Sequence, residues 1–216
     1  MKVMIEDLKQ ISFQEITQHL LTEEKPSDYI NALSTKEFFN EHPFKMLQML
    51  KKTEQSVKYH PEGNVWNHTL LVLDEAAKVR DQSKDPKALM WAALLHDIGK
   101  PDTTRIRKGK ITSYDHDKEG AKLCVDFLHA ITEDEDFVQK VAALVRYHMH
   151  MLYVLKKLPY SDVENMLHRV DIHEIALLCR CDRLGRTGAD IELEDAEYRE
   201  FLESLKQMIA LKQSEI

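Results

Sequence analysis

The stretch AALLHDIGKPDTT, residues 92–104, places an ionisable pair, His96 and Asp97, directly after an apolar run. The eight residues of that run, Ala88 to Leu95, are apolar on every face of a helix, and such a helix is buried. A carboxylate carried into an apolar interior is costly unless it is paired, protonated or bound to a metal ion. The run therefore indicates either a metal-binding pair or a solvated pair at a helix end, with Lys100 as a nearby cation.

A third candidate, His68, falls on the apolar face of a helix predicted over 65–81. Leu71 and Val72 lie three and four residues after His68, and residues at these spacings share one face. His68 is therefore expected to point into the protein, either as a ligand or as a core histidine bonded to a carbonyl group.

Two histidines near the end of a helix predicted over 134–149 differ in their angular positions. At about 100° per residue, His148 falls roughly 20° from Phe137, a member of the apolar stripe, whereas His150 falls roughly 220° away. The pattern predicts that His148 faces the interior and that His150 faces solvent.

An aspartate lies on the apolar stripe of a helix predicted over 171–184. Asp182 follows Ile175 and Leu178 by seven and four residues, so its carboxylate is expected on the inward face. A buried carboxylate needs a partner. Arg186, one turn later, offers a simple salt bridge as the alternative to a metal ion.

A second His-Asp dipeptide, His116-Asp117, lies in the polar stretch SYDHDKEG. Asp117 is interpreted as an ordinary helix N-cap. His116 precedes the helix start, and its side chain fits equally well in a cleft or in water.

A divalent ion explains these buried polar groups together. Imidazole nitrogens and carboxylate oxygens are natural ligands of divalent transition metals, and a set without thiolate favours iron, manganese, cobalt or nickel over a cysteine-based zinc site. We therefore expect such an ion as a cofactor.

The composition is that of a folded protein without an extended polyanion-binding surface. The 216 residues carry 30 Lys and Arg against 37 Asp and Glu, a net charge of −7, which disfavours nonspecific binding to nucleic acid or to an anionic membrane. A small nucleotide held by a few local cations is compatible with that charge. The three cysteines, Cys124, Cys179 and Cys181, suit a reducing compartment, and Cys179 and Cys181 are interpreted as packing residues.

The opening residues MKVMIEDLKQ do not resemble a secretory signal. No run of the chain approaches the roughly 18 apolar residues of a membrane span. A cytoplasmic location without a membrane partner is therefore expected.

Apolar residues recur at helical spacing along most of the chain, which has only six glycines and six prolines. Helices are predicted over residues 5–21, 35–41, 43–52, 65–81, 86–97, 117–131, 134–149, 161–170, 171–184 and 194–212, the last as a solvated C-terminal helix. Residues 103–114 alternate around Lys108-Gly109 and favour a small β-hairpin. The prediction is one all-α domain over 1–216 that carries this hairpin.

His68, His96-Asp97 and Asp182, in that order on separate helices, resemble the ligand pattern of the HD phosphohydrolase superfamily. HDIGK at 96–100 matches the motif of the HDIG type. The segments HPEGNVWNHTLLVLDEAA, HDKEGA, LVRYHMH and CDRLGR are further similar to the HD domain of bacterial tRNA nucleotidyltransferases, the CCA-adding enzymes.

The resemblance covers about 60–186, which is predicted to form an HD-domain helical bundle. It leaves 1–59 as an N-terminal helical extension and 187–216 as a C-terminal helix. The CCA-adding enzymes carry a nucleotidyltransferase head with a Gly-Ser pair, and no Gly-Ser dipeptide occurs here. Nucleotide addition is therefore not expected. The resemblance instead implies a free-standing HD hydrolase.

The resemblance also implies a ligand set. The residues that match the ligands of a first ion are His68, His96, Asp97 and Asp182. His116 and His148 match the histidines of a second ion in two-metal members, with Asp97 bridging both. Arg183 and Arg186 are weaker candidates for binding a substrate phosphate.

The implied activity is metal-dependent hydrolysis of a phosphate monoester or diester, of the 2′,3′-cyclic phosphodiesterase or phosphatase kind. Asp97 and Lys100 are the candidate catalytic residues, the latter as a point cation for developing phosphoryl charge. The expected partner is a small phosphorylated molecule, a nucleotide, and the end of a tRNA is compatible with this. A nucleotide-binding regulatory module with little turnover and a purely structural helical adaptor are the alternatives.

Overall fold

The computed structural model describes residues 13–214. Residues 13–22 are helical and form α1, whereas residues 5–12 of the predicted first helix lie outside the described range. The other helices are α2 (Pro26–Leu33), α3 (Lys45–Leu50), α4 (Val65–Val79), α5 (Pro86–Leu95), α6 (Lys100–Thr103), α7 (His116–His129), α8 (Glu135–Tyr147), α9 (His150–Leu155), α10 (Val163–Arg169), α11 (Ile172–Leu184) and α12 (Ile191–Ser214), with short 3₁₀ turns at Glu37–Asn40 and Arg80–Gln82.

The described residues confirm the all-α prediction and the hairpin. Strand β1 (Thr104–Arg107) pairs antiparallel with β2 (Lys110–Ser113). Lys108 and Gly109 form the two-residue turn with φ of 51° and 74°, because a tight hairpin needs two residues at positive φ. The hairpin joins α6 to α7 and therefore connects the lysine end of the HDIGK motif to His116.

Helix α5 lies at the centre of the bundle. Its residues 88–95 are all buried, as expected for a helix that is apolar on every face. It begins at Pro86, and Asp85 caps it by accepting a hydrogen bond of 3.1 Å from the Ala88 amide. Helices α4, α8 and α11 pack around α5. The apolar run thus places its C-terminal His-Asp pair inside the protein.

The terminal segments pack on this same core. Phe13 of α1 stacks on Trp91 of α5 with ring centroids 5.2 Å apart. Helix α12 was predicted to be a solvated helix, but it buries Phe201 and Leu205 completely and packs against α11. The solvated interpretation holds for only one face of α12. The division of the chain into extension, core and C-terminal helix stays a prediction.

Within residues 13–214, no helix is both long enough and apolar enough to cross a membrane.

Candidate metal centre

Six imidazole and carboxylate side chains from five helical segments converge in the interior. In each of two triads, the ligand atoms of the three residues all lie within 4.8 Å of one another. The triads are His68, His96 and Asp182, and Asp97, His116 and His148. All six side chains are buried, with relative exposures of 6 % or less. The structure therefore brings together every residue predicted as a metal ligand.

Asp97 belongs to the second triad and also faces the first. Its Oδ2 is 3.2 Å from His96 Nε2 and 3.9 Å from His68 Nε2. Its Oδ1 is 3.4 Å from His116 Nε2 and 3.9 Å from His148 Nε2. One carboxylate thus faces both groups of histidines with different oxygens, which is the arrangement that a bridging ligand needs.

Three of the histidines are held in one orientation by the same local contact. The Nδ1 atoms of His96, His116 and His148 lie 2.8, 2.7 and 2.6 Å from the carbonyl oxygen three residues earlier in the chain. Because a carbonyl oxygen only accepts, Nδ1 carries the proton and donates it. Each Nε2 therefore keeps its lone pair for the interior, as in histidines that ligate metals.

This orientation creates contacts that a cation resolves. His116 Nε2 and His148 Nε2 are 3.1 Å apart, with both Nδ1–H groups already used toward carbonyls. His96 Nε2 is buried and has no hydrogen-bond partner. Buried polar atoms are normally satisfied, so such an arrangement indicates a ligand. The residues fit a divalent transition-metal centre.

The protonation states also suit a cation. Burial raises the pKa of Asp97, but the nearby Lys100 and His96 outweigh this and hold that pKa well below its ordinary value. The pKa of Asp182 is likewise low, because Arg186 and His68 outweigh burial. Burial lowers the pKa of His116 to about 3, against the opposing effect of Asp97. The carboxylates are anionic and His116 is neutral at pH 7.

Lys100 lies at the edge of the cluster. Its Nζ is 2.7 Å from Asp97 Oδ2 and donates a hydrogen bond of 2.6 Å to Gln55 Oε1. The side chain is buried, with 8 % of its surface exposed. The structure thus places Lys100 beside the carboxylate that faces the histidines of both triads.

The two candidate arginines occupy different environments. Arg186 Nη2 lies 3.6 Å from Asp182 Oδ2, so the salt bridge considered from the sequence is present, and Arg186 also borders the cluster. Arg183 instead pairs with Glu194 and Glu197 of α12, the latter at 2.5 Å. Its guanidinium group is used in the α11–α12 contact and is not brought to the triads.

Two expectations about neighbouring residues are wrong. His150 is fully buried and accepts a hydrogen bond of 3.0 Å from the Asp162 amide, because α8 ends at Tyr147 and a new helix begins at His150. Asp117 is not an N-cap, because α7 begins one residue earlier. Its buried carboxylate instead accepts a hydrogen bond of 2.5 Å from Arg146 Nη1. The expectation that Cys179 and Cys181 are packing residues is confirmed, since both side chains are buried and form no disulfide.

A loop before α4 adds residues that the sequence did not identify. Gln55, His60 and Glu62 reach the cluster from this segment, and Glu62 Oε1 lies 2.9 Å from the Nδ1 atoms of both His60 and His68. A loop has no periodicity that predicts which side chains point inward. The available signal was the presence of a histidine and an acid in HPEGN, eight and six residues before His68.

The helical bundle and its His-Asp centre define an HD-domain protein. The chain matches the HD domain family over residues 65–187 and belongs to that family. HD domains are metal-dependent hydrolases, and all six ligand candidates lie within the matched range.

Similar curated proteins come from several bacteria. The "Multifunctional CCA protein" of Pasteurella multocida (strain Pm70) is 32% identical over 178 residues, which cover 76% of this chain and 40% of the relative. The protein of the same name from Pseudomonas fluorescens (strain SBW25) is 30% identical and covers 83% of this chain and 43% of the relative. The resemblance to CCA-adding enzymes is confirmed. The chain spans about two fifths of the length of these relatives.

Proposed function

We propose that this protein is a metal-dependent phosphohydrolase that cleaves a phosphate monoester or diester of a nucleotide, as a phosphatase or a 2′,3′-cyclic phosphodiesterase. The observation that supports this most strongly is that Asp97, a member of the second triad, also lies 3.2 Å from His96 Nε2 and 3.9 Å from His68 Nε2 of the first triad. Membership of the HD domain family supports the hydrolase class. The name of the relatives, "Multifunctional CCA protein", favours a nucleotide or the end of a tRNA as substrate.

The proposed ligands divide between two ions. His68, His96 and Asp182 would hold the first ion, His116 and His148 the second, and Asp97 both. Iron, manganese, cobalt and nickel suit this set of nitrogen and oxygen donors. Divalent ions in such a site supply Lewis acidity toward the phosphoryl group and make hydroxide available near neutral pH.

The remaining residues act on the substrate. Lys100 beside Asp97 and Arg186 beside Asp182 place a cation at each of two carboxylates of the centre. A phosphate ester that enters between Lys100 and Arg186 would exchange contacts with water for contacts with these two side chains. Because both cations are already in position, they would stabilise the negative charge that develops on the phosphoryl group. The Nε atom of Arg186 is buried without a hydrogen-bond partner and is therefore free to donate.

The direct test is hydrolysis by the manganese-loaded protein. We would screen nitrophenyl phosphates, 2′,3′-cyclic nucleotides and nucleoside monophosphates, and compare Asp97→Ala with Asp102→Ala, an exposed carboxylate on α6. Loss of the shared ligand is expected to lower hydrolysis by more than about 100-fold, because removing even an indirect partner of a metal ligand costs about 10–100-fold. Full activity in Asp97→Ala contradicts the assignment.

Two other results would redirect the proposal. Nucleotide binding without product release by the metal-loaded wild-type protein would favour a regulatory module. A purified protein that binds no divalent ion would favour a structural adaptor.

A further inference from the structure

We infer that Glu62 is a positioning residue of the metal centre, which fixes the ring of His68 and ties together the two helices that carry His68 and Asp182. This inference rests on the proposed metal site and adds a residue that lies before the family match at 65–187. Glu62 touches neither triad's inward-facing ligand atoms, so its effect on an ion is indirect.

The contacts of His68 differ from those of the other three histidines. Their Nδ1 atoms face backbone carbonyls, whereas His68 Nδ1 lies 2.9 Å from Glu62 Oε1. The opposite ring atom, His68 Nε2, lies 2.9 Å from Asp182 Oδ1, inside the first triad. The hydrogen bond of the ring lies on the Nε2 side, toward Asp182, and the Glu62 contact is an ion-pair distance at Nδ1. An ion bound at Nε2 would require the ring proton on Nδ1, where the Glu62 carboxylate is the acceptor within reach, as in carboxylate–histidine–metal arrangements.

Glu62 is itself fixed from several sides. Its Oε1 is 2.9 Å from His60 Nδ1, and its Oε2 accepts a hydrogen bond of 3.2 Å from the Thr187 amide. Only 3 % of its side chain is exposed. Gly63, at a φ of +102°, allows the turn that follows Glu62 and leads into α4.

These contacts connect two ligand-bearing helices. Glu62 precedes α4, which carries His68, and Thr187 follows α11, which carries Asp182. A single carboxylate thus joins the start of one helix to the end of the other, close to the first triad. Losing it would release both the ring orientation of His68 and the spacing between His68 and Asp182.

The charge of Glu62 is consistent with this role. Burial raises the pKa of Glu62, but the contacts with His68 and His60 outweigh burial and lower the pKa to about 2. The side chain is therefore a carboxylate acceptor, and not a donor, throughout the range in which an enzyme would work.

His60, Glu62 and His68 could instead hold a further ion, because their ligand atoms also lie within 4.8 Å of one another. The positioning role requires that Glu62 binds imidazole N–H groups and no metal. The two roles differ in the number of ions bound per chain.

The test is manganese affinity and stoichiometry in Glu62→Ala and Glu62→Gln, measured by calorimetry and by elemental analysis. The matched control is Glu54→Gln, an exposed acid in the same loop. Affinity is expected to fall about 10–100-fold in Glu62→Ala and less in Glu62→Gln, whose amide oxygen still accepts. The number of ions at saturation should stay that of the wild type, and the visible spectrum of the cobalt-loaded variants should shift.

Wild-type affinity in both variants overturns the inference, as does loss of one bound ion at saturation, which would make Glu62 a ligand. If Glu62→Ala does not fold, Glu62→Gln still gives the answer. A wild-type protein that binds no ion overturns this inference together with the proposed function. A protein that hydrolyses phosphate esters but whose manganese affinity does not change in the Glu62 variants overturns this inference alone.

Discussion

Lys100 combines a buried ammonium group with a neighbour that is a candidate metal ligand. Replacing it in Lys100→Gln is expected to lower kcat/KM for a phosphate ester by about 100-fold, the scale on which a single preorganised donor acts. Manganese affinity should be retained or strengthened, because the ammonium group lies 2.7 Å from Asp97 Oδ2 and competes with a cation there. Parallel kinetics and manganese titrations check this.

The control for that substitution is Lys118→Gln, an exposed lysine that pairs with Asp115 at the start of α7. It should behave as the wild type in both measurements. If Lys100→Gln lost metal and activity in equal proportion, the lysine would be maintaining the centre and not acting on the substrate.

His116 is buried in its neutral form, and this gives a pH dependence of stability. Burial lowers the pKa of His116 to about 3, below the ordinary value of 6.5. Between these values the unfolded chain binds more protons than the folded protein, so stability falls as pH decreases. Each such group contributes a slope of about 1.4 kcal/mol per pH unit. His60, whose pKa burial lowers to about 4, acts in the same direction.

Urea unfolding of chelator-treated protein measures this effect at pH values between about 4.5 and 6.5. Ordinary carboxylates titrate below this range, so they contribute little to the slope there. His116→Gln should have a shallower dependence of the free energy of unfolding on pH. The control, His129→Gln, changes an exposed histidine on α7 that pairs with Glu135 and should keep the wild-type slope. An unchanged slope in His116→Gln would falsify the buried neutral state.

At the scale of elements, the contact between α7 and the turn that joins α5 to α6 depends on a glycine, Gly99. Its φ of −83° suits any residue, so backbone freedom is not the reason for a glycine there. Its function is close approach: a Cβ atom there would lie 2.2 Å from the His116 carbonyl oxygen and 2.5 Å from the Gly120 nitrogen. Both are backbone atoms, so neither can rotate away.

Gly99→Ala is therefore expected to lower the free energy of unfolding by about 3 kcal/mol, at the upper end of overpacking costs. It should also weaken manganese binding by displacing His116. Gly120→Ala is the matched control, because its Cβ would meet the Val145 side chain at 3.3 Å, a contact that can adjust. Urea unfolding and manganese titration of both variants compare their free energies of unfolding and their manganese affinities.

Helical periodicity predicted the inward direction of side chains only within unbroken helices. His68 and Asp182 were placed correctly because α4 and α11 keep one period through them. The same extrapolation failed at His150, where the chain leaves α8 and starts α9. Glu62 and Gln55 were not found, because the direction of a loop side chain depends on tertiary contacts that leave no local pattern.

At the scale of the whole molecule, the convergence of the ligands is the feature that local patterns could not predict. His68 and Asp182 are in contact across 114 positions of sequence. Each position alone was compatible with a core histidine or a salt bridge. The need to satisfy several buried polar groups together indicated a shared ion, and the resemblance to HD proteins gave the full ligand set. The tertiary packing that closes the site involves α4, α5, α7, α8 and α11, and no local pattern predicts it.

Ions held by these separate helices are expected to stabilise the whole fold. The unfolded chain does not hold the ligands together, so ion binding adds about 2.7 kcal/mol when the free ion is at 100 times its Kd. For a chain of this size, that corresponds to a rise in Tm of about 5–10 °C. Thermal unfolding of chelator-treated and manganese-saturated protein measures the rise. Asp182→Ala should lose most of it, whereas Asp126→Ala, an exposed carboxylate on α7, should keep it. Equal shifts in both variants would mean that the ion acts on the general acidity of a chain of net charge −7 and not on the buried centre.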